Sequence, residues 1–218
     1  MGYEPIDAEY ESQIDAIYNG VLEDYYRSDS FQQDISRGVE EFIDERQKAF
    51  YIMNPTVAEP AFNLLTEARE LLVLKHYGAA QVIAGAAAEV TLGDAILKPM
   101  VYGFVHSDTV APMVVKIVKD TKQVSRFDAL IIEIVSKFSG ISLTDATGGS
   151  KKSLWEFVKN VGRQRNEVLH GEGLSSVTKE QAEEAIVMAT TLFETVFPAL
   201  LKNLGLHVHS AKICADSH

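Results

Sequence analysis

Apolar side chains recur at intervals of three and four residues along almost the whole chain, and proline or glycine marks most breaks between the runs. That spacing puts one apolar stripe on each helix, and such helices hide their stripes by packing on one another. The first run, residues 8–26, carries Ile14, Ile17, Tyr18, Val21, Leu22 and Tyr25. A second starts at Ser28 or Asp29, passes Phe31, Ile35, Val39, Phe42, Ile43 and Phe50, and ends at Asn54-Pro55, because a residue before proline avoids the α region. Pro60 suits the first turn of a third helix, reaching to about His76. Gly78 separates it from a fourth, 79–97, whose small side chains let a neighbour approach closely and which Lys98-Pro99 closes. Residues 99–107 form a connection or a short helix.

Ser107 or Asp108 caps a helix to about Asp120, and Ser125 with Asp128 opens another through Phe138, ended by Gly140. After a loop at 141–149, Ser150 or Ser153 caps a helix with its stripe at Leu154, Phe157, Val158 and Val161, and Trp155 partly beside it. Thr178 with Gln181 caps the last long helix, from Ala182 to Leu200, which Pro198 bends and Gly205 stops. No alternating run marks a strand. The reading is an all-α antiparallel helical bundle over 55–205, with an acidic helical extension over 1–54 and a flexible tail over 206–218.

Composition limits the setting. Cys214 is the only cysteine, so no intrachain disulfide forms and a reducing, cytoplasmic environment is expected. The N-terminus lacks a basic region followed by an apolar run, and Ala79 to Leu92, interrupted by Gln81 and Glu89, is too short to span a bilayer; no membrane partner is expected. The net charge of −11 is unevenly spread: residues 1–50 hold 13 acidic and 4 basic side chains, net −9, and residues 51–218 hold 18 and 16, net −2. Over 151–165 the sign reverses, with Lys151, Lys152, Lys159, Arg163 and Arg165 against Glu156 alone. A second basic run, Lys116, Lys119, Lys122 and Arg126, faces Asp120. Solvated helix faces account for either run by itself.

The stretch from Ser153 to Gly173, SLWEFVKNVGRQRNEVLHGEG, gathers the residues with chemistry. Arg165 and His170 are five apart, about 140° around an ideal helix, so they converge only if His170 sits at or past the helix end. Gly171 and Gly173 supply the left-handed residue such an end uses. A histidine exchanges protons near neutral pH, and an arginine offers a charged fork of donors to a phosphate. Together they suit phosphodiester cleavage without a metal or other cofactor, with Asn166 orienting the imidazole or binding substrate. Spacing alone is common: Arg69 and His76, and Arg163 and His170, also fit an Arg-x6-His pattern, the former on an amphipathic surface helix. His207, His209, Cys214 and His218 crowd the tail, but nothing rigid fixes them as metal ligands.

The RNEVLHG segment at the end of a long helix, with LLTEARELLVLKHYGAAQVIAGAAAEVTL over 64–92, resembles the HEPN superfamily, and the resemblance spans roughly 58–204. The resemblance implies a helical bundle and a metal-independent endoribonuclease, often a toxin or antiviral defence effector. It implies Arg165 and His170 as catalytic, Asn166 as auxiliary and Glu89 as an acidic support for the arginine. Lys152, Lys159 and Arg163 would then bind RNA. It also implies a homodimer with the active site at the subunit interface, and an antitoxin or larger defence complex as a further partner. The other reading is an inactive helical module that binds a protein or nucleotide.

Overall fold

The computed structural model describes residues 8–107, 109–119, 128–161 and 174–216. The chain divides into two compact units, Met1–Ile43 and Asp44–His218, so the division falls eleven residues before the expected boundary at 54 and inside a helix. The first unit holds α1 (Ala8–Arg27) and the start of α2 (Asp29–Met53). Ser28 separates them: its side-chain oxygen accepts from the Phe31 amide, the bond expected of a helix cap.

The second unit is mostly helical. After the end of α2 come α3 (Glu59–Val73), α4 (Tyr77–Val90), a π-helical segment (Thr91–Leu97), α5 (Lys98–Phe104), α6 (Ala111–Lys119) and α7 (Asp128–Ser139). Residues 154–161 form α8. Then follow α9 (Lys179–Thr191), a second π-helical segment (Leu192–Val196) and α10 (Phe197–Asn203). α3 and α9 both pack on α4, where Ala80, Ala84, Ala87 and Ala88 are fully buried. Small side chains on that helix let both neighbours come close.

The expected break at Gly78 lies three residues earlier. α3 ends where Lys75 takes a positive φ of 63°, with the His76 amide bonded to Leu71 O and the Lys75 amide to Leu72 O. This is a glycine-type helix ending built on a lysine. Gly78 is needed for contact instead: a Cβ there would collide with the Leu174 carbonyl oxygen.

The expected stop at Pro99 is also corrected. The helix carries on through it to Phe104, with the wider π turn placed immediately before the proline. Proline has no amide hydrogen, so the carbonyl of Ala95, four residues earlier, loses its α-helical donor. The buried Tyr51 hydroxyl donates to that oxygen at 2.7 Å. Burial holds the Tyr51 phenol well above its ordinary pKa, so it stays a protonated donor. The second π segment stands before Pro198 in the same way. Rings of Phe50, Tyr51, Phe197 and Phe193 follow one another at 6.0–6.1 Å and link α2 to this second proline-containing helix.

Because the helix passes Pro99, Tyr77–Phe104 and Lys179–Asn203 are each long and apolar enough to cross a membrane by length and composition, contrary to the short span expected of Ala79–Leu92. In these helices 61% and 56% of the apolar window is buried inside the fold, as core helices require.

The tail expected to be flexible is a β-hairpin. β1 (Leu206–His209) pairs antiparallel with β2 (Lys212–Ala215), His209 opposite Lys212. Leu206 and Ile213 are buried, the Ile213 amide bonds Pro55 O at 2.8 Å, and His207 Nδ1 meets Asp216 Oδ1 at 2.8 Å. Ser210 and Ala211 make the turn at positive φ, a position where Asn or Gly gives the usual signal.

Tyr51→Phe should keep the fold and remove one buried donor, destabilising the protein by about 1–2 kcal/mol. Chemical denaturation of the two proteins measures this; an unchanged midpoint and slope would mean that the Ala95 carbonyl does not depend on the phenol.

Candidate functional site

Ser153 rather than Ser150 caps α8. The Ser153 side-chain oxygen accepts from the Glu156 amide at 3.2 Å, and the Ser153 amide donates to Glu156 Oε2 at 3.0 Å. This reciprocal pair satisfies two amides that the first turn cannot bond internally. Leu154, Trp155, Phe157 and Val161 are buried, so Trp155 belongs to the core stripe and not beside it. The helix presses against α4 at a glycine: a Cβ on Gly85 would meet Val161 Cγ1 at 3.1 Å.

Of the residues expected to act, Arg163, Arg165, Asn166 and His170 lie outside the described residues, in 162–173. On either side the chain meets α4, at Gly85 through Val161 and at Gly78 through Leu174. Gly78 and Gly85 are seven apart, so they share one face of the helix about 10 Å apart along its axis. Glu89, the expected acidic support, is half-buried one turn beyond Gly85 on nearly the same face. Beside Gly78 is a cleft of about 320 Å³ lined by Lys75, His76, Tyr77, Gly78, Ala79, Leu174 and Val177.

The expected basic run is partly neutralised by residues far away in sequence. Lys152 Nζ lies 3.4 Å from Glu184 Oε2, and Lys159 Nζ lies 3.4 Å from Asp128 Oδ2. Both lysines are partly exposed, so the pairs are weak. Ser150 also donates to Glu184. That bond, and then Lys152, hold the Glu184 carboxyl below its ordinary pKa against the opposing effect of burial. No spacing in the sequence announces Glu184, which is 34 residues from Ser150.

Elsewhere the alternative pair is separated. Arg69 bonds Glu194 Oε1 at 2.9 Å and Thr190 Oγ1 at 3.0 Å, whereas His76 stands at the start of the next helix. Among the described residues no group of three or more His, Cys, Asp or Glu side chains is placed to hold a metal ion. Comparison with protein-family models, curated proteins and solved structures gives no match.

The Glu184 carboxyl has a lowered folded pKa, so its contribution is complete above the ordinary glutamate value of 4.5 and is lost as pH falls through the lower folded value. Thermal unfolding from pH 7 to pH 3 should therefore show a steeper acid loss for the wild type than for Glu184→Gln. Parallel curves would remove the link between this carboxylate and stability.

Proposed function

We propose that the chain is a HEPN-like, metal-independent endoribonuclease whose working residues are Arg165 and His170, assisted by Asn166. The observation that carries this reading is the Arg165-Asn166 and His170-Gly171 pattern following a helix seated on α4 one turn from Glu89. The packing of α3 and α9 on the Ala-rich α4 supports this reading.

In the reaction, the ribose 2′-oxygen attacks the adjacent phosphorus while the bond to the 5′-oxygen of the next nucleotide breaks. His170 takes the 2′-OH proton, and a proton is returned to the departing 5′-oxygen, leaving a 2′,3′-cyclic phosphate and a 5′-hydroxyl. Arg165 stabilises the charge that gathers on the non-bridging oxygens, and its guanidinium keeps its charge at any working pH. Glu89 orients the arginine. Lys152, Lys159 and Arg163 bind the RNA backbone, the two lysines exchanging carboxylate partners for phosphates. Two copies of the chain bring two motifs to one cleft, in a cytoplasmic toxin or antiviral effector held in check by a protein partner.

The ion pairs of Lys152 and Lys159 favour a second reading, in which these lysines fasten the scaffold and the domain is an inactive module for a protein or nucleotide.

RNA cleavage in excess EDTA decides between them. The wild type should cleave, and His170→Ala and Arg165→Ala should each lose about 10²–10⁴-fold in rate with helical content retained. Cleavage that persists in both variants would assign the activity to another site, and no cleavage by the wild type would favour the binding module.

A further inference from the structure

His207-Val208-His209 has no rigid frame in the sequence, and the hairpin supplies one. Leu206 and Ile213 are buried and Val208 is half-buried, so the alternation of β1 turns His207 and His209 together to the exposed face. The frame is fastened from outside the pair. The Ile213 amide bonds Pro55 O at 2.8 Å, and the Asp216 amide bonds Gly205 O at 3.1 Å. Two residues apart on an antiparallel strand, the two histidines are about 6.8 Å from each other along it. Imidazole nitrogens hold an ion at about 2.0–2.1 Å, and two rings leaning together across this spacing reach the same ion.

A carboxylate prepares one of the rings. His207 Nδ1 lies 2.8 Å from Asp216 Oδ1. An ionised carboxylate only accepts, so the neutral ring keeps its proton on Nδ1 and its lone pair on Nε2. A carboxylate behind a ring in this way fixes the tautomer and orientation of a ligating histidine. The remaining neighbours on this face limit the site. Cys214 stands opposite His207, but its thiol is directed at Lys212 O at 4.0 Å. Lys212 stands opposite His209 and opposes a cation. Among the described residues no third His, Cys, Asp or Glu is placed to complete a ligand set, which leaves the other positions to water. Imidazole ligands suit zinc, nickel and copper, whereas magnesium and calcium take oxygen.

We propose that His207 and His209 form an exposed two-histidine site for a divalent ion of the zinc, nickel and copper class, with Asp216 as the positioning residue for His207. Two protein ligands beside a lysine make this an ion that exchanges with solvent, unlike the four-ligand sites that build folds. This inference stands on the hairpin and does not depend on the ribonuclease reading.

Isothermal titration of the full chain with Zn²⁺ alone at about pH 7.5 is the test, with the unfolding midpoint measured in EDTA to show that each variant keeps its fold. The wild type should bind, and His207→Ala and His209→Ala should each weaken binding at least about tenfold. Asp216→Ala should cost about tenfold, and Asp216→Asn, whose carbonyl still accepts from Nδ1, should recover most of it. Lys212→Gln should tighten binding, and Cys214→Ser should leave it unchanged. His209 is exposed, so His209→Ala decides the matter if His207→Ala loosens the hairpin. Undiminished binding in His209→Ala, or no wild-type binding below about 1 mM Zn²⁺, would overturn the proposal. So would loss of binding in Cys214→Ser, because the ion would then belong to the thiol.

Discussion

A hydrogen bond between Tyr51 and the Ala95 carbonyl joins the helix that enters the second unit to the helix at its centre. It answers a local problem. Pro99 deprives Ala95 of its helical donor, and a buried carbonyl left unbonded would cost about 1–3 kcal/mol. The π turn before the proline lets the helix continue, and the phenol from α2 occupies the acceptor. With the helix continuous from Tyr77 to Phe104, α4 can serve as the element on which α3 and α9 pack. The aromatic rings from Phe50 to Phe193 extend the same joint to the second proline-containing helix.

The candidate site draws on that central helix. Two glycines on one face of α4 receive the chain immediately before and after residues 162–173, Gly78 where a Cβ would collide and Gly85 where Val161 would have to give way slightly. Gly78 meets backbone, which cannot move aside cheaply, and Gly85 meets the branched end of Val161. Glycine here is a matter of clearance and not of conformational freedom, since both residues are helical. The described residues on either side of 162–173, Val161 and Leu174, therefore both lie against a helix rich in buried alanines.

Electrostatics are organised differently in the two units. In the second, acidic groups distant in sequence come to the basic run: Glu184 to Lys152 and Ser150, Asp128 to Lys159. In the first, residues 1–43 hold 11 acidic side chains against Arg27 and Arg37 alone. The net charge of −11 hides this contrast, which emerges only when charges are assigned to folded neighbours.

Helical periodicity determined the mostly helical fold, and side-chain chemistry local to a helix start determined its caps. Thr178 with Gln181 and Ser153 with Glu156 are both present as reciprocal pairs, because such bonds involve residues three apart and need nothing else. The arginine–histidine motif was likewise legible as a pattern of residue types. Tertiary structure alone decided what depends on partners far along the chain. Pro99 reads as a stop until Tyr51 supplies a donor, and Gly78 reads as a break until Leu174 is seen against it. The last residues read as a loose tail, since Ser210-Ala211 carries no turn signal, until Pro55 and the buried Leu206 and Ile213 fix them as a hairpin. Lys152 and Lys159 read as free charge until Glu184 and Asp128 arrive beside them. Local bonds are written within one turn of helix; clearance, burial and ion pairing are set by neighbours that only the folded chain brings together.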